Sequence, residues 1–507
     1  MLSLNQIIHD INKSTYKLDT SGVAGLFGGD YAVDALKTVP LYAGRRWAGW
    51  YNYPGTVTVA KTFGQMANSR LWDSIFPGPN QSPGTTFNFV GEPGPNYSGS
   101  FSGTRFHTGH LGYLAAEECM EFPPKLLQLF REDGSRGRNR SEDLAVVTII
   151  SLPPHRHPRV THVDNITRRI YHFISINPKD DPSIALWAMA PSLVNILACV
   201  LCFLVRDTIA ASLILLGIVN SGFSSLVLGT ATLGIRVPVP SQAMLPGDGL
   251  MFPGDGSIIV LKGEEADVDM ITKGEFELDY STGILAHQNY HIIGIMSLLL
   301  ITQFLVQLLL IPLCTFFGQI MFLICLVVAG VYHFYVTVVS HDREKVHREL
   351  LFHALSAQTE KWTFGTKVQM TVFICLVLGD GHQDPLKSKP DEVLKSMIPN
   401  DTAVWKYWRR KVVKELERFW KWNSEQGDGL PYKPKIETDA EDETECDEYS
   451  QFTEQDTRLL DDLIGDAWCV FNRYPNWRKR ESGIGRERDD LAEEDFKATP
   501  LLEGSPV

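Results

Sequence analysis

The chain has 507 residues, 44% of them apolar and 21% charged, and a formal net charge of −13. An acid surplus of this kind excludes a general nucleic-acid binder, which needs a basic surface, so no nucleic-acid partner is expected. The average hides a segregation: two long apolar tracts occupy the middle of the chain and the charge lies on either side.

The N-terminus, MLSLNQIIHDINKSTYKLD, has no basic start, apolar core or small-residue cleavage site. No cleaved signal is expected, and insertion falls to the internal segments. Residues 1–183 read as a Gly-, Pro- and aromatic-rich stretch followed by mixed α/β structure. In YAGRRWAGWYNYP, Trp47, Trp50, Tyr51 and Tyr53 stand beside Arg45 and Arg46. That composition suits either a strip at a headgroup surface or the aromatic cluster of a small soluble core. Two PGPN turns, at Pro77 and Pro93, bracket TTFNFVG, which alternates like a strand. Residues 111–131 predict a helix that Pro123 and Pro124 kink or split. REDGSRGRNRSED is a polar linker and VVTIISL a short buried strand. His107 and His110, and likewise His155, His157 and His162, cluster in sequence, but no Cys, Asp or Glu stands at a ligand spacing, so no metal is expected.

From 184 to 229 charge appears only at Arg206 and Asp207. A single helix of that length is about 69 Å long, more than twice the roughly 30 Å of bilayer hydrocarbon. Two spans are therefore predicted, 184–205 and 208–229, with the charged pair at the turn. The tract 292–339 repeats the design with spans 292–311 and 316–338, broken at Pro312. The fold class is an α-helical integral membrane protein with four spans in two hairpins, plus mixed α/β cytoplasmic regions. A core of buried soluble helices is the alternative. Arg168, Arg169 and Lys179 precede the first span and Arg343, Lys345 and Arg348 follow the last, against Arg206 alone on the other side. The positive-inside rule then places both termini in the cytoplasm.

In the second span Gly217, Ser221, Ser225 and Gly229 recur every four residues, putting small groups on one helical face. This pattern permits close approach of another helix, within the chain or in a homo-oligomer or membrane-protein partner. Gln303 and Gln307 share a face at i,i+4, and Asn195, Asn220 and Gln319 are the other polar residues of the spans. Bonding between helices is their expected role; a conduction pathway is the alternative, unaccompanied by any intramembrane carboxylate or Lys. Cys199 and Cys202 have CxxC spacing inside an apolar tract and read as packing thiols.

Between the hairpins, 230–291 reads as a small αβ domain. LPGDGLMFPGDG carries two Pro-Gly pairs suited to type II turns. Asp248 and Asp255 follow those turns and are expected to be solvated, since the calcium-loop and dinucleotide spacings are both missing. Short antiparallel strands at 250–252 and 257–261, a helix near 264–272 and a strand at 275–280 are predicted.

The region 340–424 opens with a charged exit helix, HDREKVHRELLFHAL. KVQMTVFICLVLG follows, too short to cross a bilayer, and fits a buried helix, a buried strand or a re-entrant element. In DTAVWKYWRRKVVKELERFWKW the aromatic residues Trp405, Trp408 and Trp420 recur at helical intervals, with Arg409, Arg410 and Lys414 on other faces and Asp401 placed as N-cap. Either a helix lying on anionic lipid headgroups or a soluble helix packed on its own domain has this pattern. The remainder, 425–507, with its acidic block ETDAEDETECDEYS, reads as a largely disordered tail.

The phosphate-loop, zincin and nucleophile-elbow motifs are missing, so no cofactor and no catalytic residue is assigned. GDGSIIVLKGEEADVDMITKGEFELDY followed by IIGIMSLLLITQFLVQLLLIPLCTFFGQIMFLICLVV resembles uncharacterised multi-pass membrane proteins of fungi, over 184–348. That resemblance implies membrane residence and lends no residue a role. A non-enzymatic organiser, adaptor or regulatory subunit in contact with the bilayer is expected. An oligomeric transport or channel component, and a lipid-active membrane enzyme, are the alternatives.

Overall fold

The computed structural model describes residues 32–33 and, with interruptions, 49–481; the longest interruptions are 122–144, 280–290 and 435–451. Three short helices, α1 (Thr56–Gly64), α2 (Arg70–Ile75) and α3 (Pro83–Thr86), precede β1 (Asn96–Gly99), β2 (Arg105–His107) and α4 (His110–Glu121). Strands β3 (Ala145–Ser151), β4 (Val160–Val163) and β5 (Ile170–Ser175) lead to α5 (Pro182–Leu204) and α6 (Thr208–Leu228). Next come β6 (Thr232–Pro238), β7 (Gly249–Phe252), β8 (Ile258–Lys262), α7 (Glu265–Thr272) and β9 (Glu275–Asp279). Helices α8 (His291–Leu310), α9 (Phe316–Val339) and α10 (Arg343–Leu355) follow. The chain continues through β10 (Gln358–Phe364), α11 (Lys367–Gly379), α12 (Pro390–Met397), α13 (Ala403–Gln426) and α14 (Glu454–Glu481).

Four helices, α5, α6, α8 and α9, are long and apolar enough to cross a membrane. Their ends fall within a few residues of the predicted spans, because charge and proline set them. Helix α6 is the most enclosed of the four and α5 the least, with Leu193, Leu197, Phe203 and Leu204 exposed along its outer face. The pairs α5 with α6, α6 with α8 and α5 with α9 pack side by side. At one end of the bundle the turn at 206–207 meets the turn before α9: Asp207 caps α6 through Ala210 N and also accepts from Thr315 N and Thr315 Oγ1.

Outside the bundle the described residues form two sheets. The first runs β10-β3-β8-β7-β1-β2 and the second β4-β5-β6-β9. The predicted elements of 230–291 all form where expected, yet they do not make a domain of their own. Strands β7 and β8 pair with each other but continue into β1 on one side and β3 on the other. Strands β6 and β9 join β5 in the second sheet. Each sheet thus draws strands from before α5 and from between α6 and α8, and the first adds β10 from beyond α9.

KVQMTVFICLVLG forms α11, a helix buried on every side against the first sheet, α12, α13 and α14. Its all-round apolarity is the mark of a core helix, as its length allowed. Burial also pushes the Cys375 thiol well above its ordinary value. The chain from 454 to 481, expected to be part of a disordered tail, is instead the long helix α14, which inserts Leu460, Ala467, Trp468 and Phe471 into this core. Its apolar face is separated from the acidic block by residues 449–453, and low overall hydropathy masked it. Among the described residues of TTFNFVG there is no strand: α3 comes first, and Phe87 and Phe89 are buried ahead of β1. The helix predicted at 111–131 is observed as α4 up to Glu121; its two prolines lie outside the described residues. The acidic block and Asp255 also lie outside them.

Candidate functional site: a polar column inside the helix bundle

The segment Trp50-Tyr51-Asn52-Tyr53-Pro54 enters the four-helix bundle, where neither the headgroup surface nor the small soluble core of the sequence reading lies. The small-residue face of α6 accommodates it. Gly49 sits against Ser225, Trp50 against Gly222 and Asn52 against Gly217, where a Cβ would overlap the Asn52 amide. What approaches the Gly217, Ser221 and Ser225 face is therefore an irregular segment of the same chain, and a second helix has no room there. Gly229 caps α6. The chain then turns at Gly55, in the left-handed region at φ 73°, and returns as α1 packed along α8. Trp72 closes this re-entrant element over Gly294, its Nε1 donating to His291 Nδ1 at 2.9 Å.

Asn52 is fully buried and sits at the centre of an amide cluster. Its Oδ1 accepts from Gln303 Nε2 at 3.1 Å and from Gln307 Nε2 at 3.2 Å. Its backbone N donates to Asn195 Oδ1 at 3.1 Å, and Asn195 Nδ2 donates to Pro191 O. Gln307 Nε2 also reaches Leu213 O in α6. The i,i+4 pairing of Gln303 and Gln307 is thus used on one acceptor, but that acceptor belongs to the inserted segment.

Next to the amides is a ring of hydroxyls and an imidazole. The Tyr51 hydroxyl and His333 Nε2 are hydrogen-bonded at 2.9 Å, and the Tyr53 hydroxyl bonds Ser225. Tyr51, Tyr53, Tyr332 and His333 pack ring against ring, the closest pair with centroids 4.7 Å apart. All four long helices contribute to the column: Asn195 from α5, Ser221 and Ser225 from α6, the two glutamines from α8, and Tyr332 and His333 from α9. The other polar span residues are placed apart from it, Asn220 on Leu299 O and Gln319 on Ile311 O.

Tyr51, Asn52, Tyr53 and His333 carry no motif that names them. The available signal was complementarity: a run of bulky aromatic residues in one place and a run of small residues in another, both of similar length. Sequence order gives no means of pairing them.

The second polar feature overturns the reading of Asp248. It is buried, not solvated: Oδ1 accepts from Gly263 N at 2.8 Å and Oδ2 from His382 Nε2 at 2.7 Å. The Phe101 ring stands edge-on to His382, and Ser100 donates through both N and Oγ to Asp248 O. The first turn of LPGDG is therefore held by a histidine from after α11. Tyr97 donates to Gly247 O beside it, and burial, reinforced by Asp269, Asp248 and Glu265, raises its phenol well above the ordinary value.

The residues placed at a membrane surface by sequence are located as follows. Trp408 and Trp420 are buried in the α11–α13–α14 core, with Trp408 Nε1 donating to Leu463 O. Trp405 is half-buried and packs edge-on against Trp408. Arg409 is buried too, donating to Asn400 O and to Asp401, which it and Lys406 hold below the usual carboxylate range. Asp401 is thus a partner of these cations and not the N-cap of α13. Arg410 and Lys414 are exposed. The aromatic stripe faces the domain core, which removes Trp408 and Trp420 from any headgroup layer.

Among the described residues no group of three His, Cys, Asp or Glu is arranged to hold a metal, and the described cysteines are free thiols. The fold is a helical bundle of membrane-spanning character joined to a mixed α/β region. No family model, no curated protein and no solved structure matches the chain.

Proposed function

We infer that the chain is a four-span integral membrane protein whose two hairpins carry one composite α/β domain on a single, cytoplasmic face, and that it acts as a non-enzymatic membrane organiser or adaptor. One observation carries this reading: the first sheet takes strands from before α5, from between α6 and α8, and from after α9. A sheet cannot extend across hydrocarbon with open edges, so the three regions share a side and the four spans pair as hairpins. Charge supports the cytoplasmic orientation, with Arg168, Arg169, Lys179, Arg343 and Lys345 on the domain side and Arg206 opposite. Arg348 carries less of that argument, because its guanidinium is buried among Glu117, Glu118 and Glu121.

The resemblance to fungal multi-pass proteins belongs to the same proposal. Since the small-residue face of α6 is occupied from within, the contact for a protein partner falls to the α/β domain. Glycosylation sequons engineered into the full chain test the topology. Modification at the 206–207 turn, with none in 240–245, is expected; the reverse pattern overturns the orientation. For the organiser role, protein extracted in mild detergent should retain a stoichiometric partner and give no solute flux in reconstituted vesicles. Transport is the second reading, favoured by the polar column. Vesicle flux altered by Gln303→Ala and Gln307→Ala, with assembly intact, would replace the first reading with it.

A further inference from the structure

A cleft of about 400 Å³, counting its mouth, lies between α8, α9 and the turn of the re-entrant segment. Its apolar wall is Phe304, Leu308, Ile311, Phe322 and Leu326, and Thr56 and Gln307 form a polar corner beside Gly55. At 1.5 Å per residue, Gln307 and Phe322 each stand about 9 Å inside the ends of their spans that lie away from the α/β domain. Leu308, and Val57 next to Thr56, are exposed, so on the four-span reading the mouth opens sideways onto lipid.

The polar corner has hydrogen-bonding capacity that the described protein leaves unused. Helix α1 starts there without a side-chain cap: Gly55 is its N-cap, and the N–H groups of Thr56, Val57 and Thr58 meet no acceptor among the described residues. The Thr56 hydroxyl, on a residue 3% exposed, has no partner among them either. Gln307 is 5% exposed, and its Nε2 is taken by Asn52 Oδ1 and Leu213 O. Because the Leu213 carbonyl can only accept, it fixes which way the amide is turned. Gln307 Oε1 is left as an acceptor without a donor among the described residues. Hydrocarbon offers no water to complete such groups.

We propose that this cleft binds a sterol from the leaflet away from the α/β domain, with the sterol hydroxyl held at Thr56 and Gln307. One hydroxyl meets both needs: it accepts from the first N–H groups of α1 and donates to Gln307 Oε1, while its apolar body covers the wall between Phe304 and Leu326. An apolar cleft with a few placed polar groups is the usual form of a small-ligand site. A helix N-terminus alone suits an anion, but Gln307 Oε1 requires a donor, and no Lys or Arg is among the described residues of the lining. A phospholipid would have to carry its charged headgroup below the interface with no charge there to offset the cost. A diacylglycerol brings two ester groups besides its hydroxyl, for which the apolar wall has no donors. The proposal rests on the four-span reading, which the sequon pattern tests separately.

The test is photolabelling of the full-length protein in phospholipid nanodiscs with a cholesterol analogue that carries a diazirine on its ring system and keeps its hydroxyl. Label concentrated on 53–57, 304–311 and 322–326, and displaced by unlabelled cholesterol, is expected. Label spread equally over the exposed face of α5, at Leu193, Leu197 and Phe203, is lipid contact without a site and overturns the proposal. Cholesterol acetylated at its hydroxyl cannot donate and should compete about fivefold less well, the loss of one buried hydrogen bond. Equal competition by the acetate, or by a diacylglycerol, overturns the proposal without any change to the protein. Leu308→Trp, at the exposed mouth, should remove most of the displaceable label and leave the thermal midpoint unchanged; undiminished label counts against the cleft. A chain that shows the expected sequon pattern but no displaceable label fails this proposal alone and leaves the four-span reading standing.

Discussion

Asp207 and Thr315, 108 residues apart, join the two far turns of the bundle: the carboxylate accepts Thr315 N at 2.9 Å and Thr315 Oγ1 at 2.6 Å while its other oxygen caps α6. The charged dipeptide that marks the first turn in the sequence therefore also fixes where the second hairpin sits against the first. Gly318 lies against the same carboxylate, so the approach of α9 is set at this point.

Replacing Asp207 by Ala removes a cap and two further hydrogen bonds from a buried site. A loss of about 2–4 kcal/mol is expected. Thermal unfolding of the purified protein in nanodiscs measures it. Thr315→Val should cost less, and a double-mutant cycle should give a coupling of about 1 kcal/mol or more. Strict additivity would show that the two turns are independent.

The Asn52 carboxamide serves two glutamines at once, so Asn52→Leu strands Gln303 Nε2 and leaves Gln307 Nε2 with Leu213 O alone. The expected cost is about 2–4 kcal/mol. Adding Gln303→Leu and Gln307→Leu should recover part of it, since removing all partners of a buried network costs less than removing one. A triple variant less stable than Asn52→Leu alone would contradict the hydrogen-bonded cluster.

Trp408 fills the junction of α11, α13 and α14. Its truncation to Ala should cost about 3–5 kcal/mol and unfold the α/β domain at lower temperature. Exposed Lys414→Ala should change stability by about 0.5 kcal/mol at most. Equal effects at the two positions, read from near-ultraviolet circular dichroism melts, would count against the buried aromatic face.

His110 is held below its usual value of 6.5 mainly by burial, against the opposing pull of Glu92 and Glu117. Its ring also faces Tyr113 and His347. With the folded value below the unfolded one, the unfolded chain binds the extra proton first as pH falls. The contribution of His110 is therefore favourable above about 6.5 and is lost progressively below it. Acid melts between about pH 7 and 5 should be flatter for His110→Gln than for the natural chain, and identical slopes would remove His110 as the cause.

How much was legible in advance differs between elements. Span ends, β3, β7, β8, α7 and β9 follow from local rules, because charge, proline and hydrophobic period act within a few residues; α11 was legible only as too short to cross a bilayer, with helix, strand and re-entrant element left open. The α6 stripe was legible as a surface made for close approach, though its occupant was not. The Trp405–Trp420 stripe was legible as an apolar face, while a bilayer and a protein core satisfy such a face equally well. Helix α14 was hidden by the acid-rich sequence around it.

By itself the sequence determined that four apolar segments of bilayer length exist, where they break, and that no familiar catalytic spacing is present. Only the tertiary structure decided that Asn52 meets Gln303 and Gln307, that Asp248 meets His382, and that three separate regions share one sheet. The physical reason is range. Helix and turn propensities are short-range, whereas the partner of a buried polar group is chosen by the requirement that its hydrogen bonds be met wherever in the chain the complementary atom happens to be.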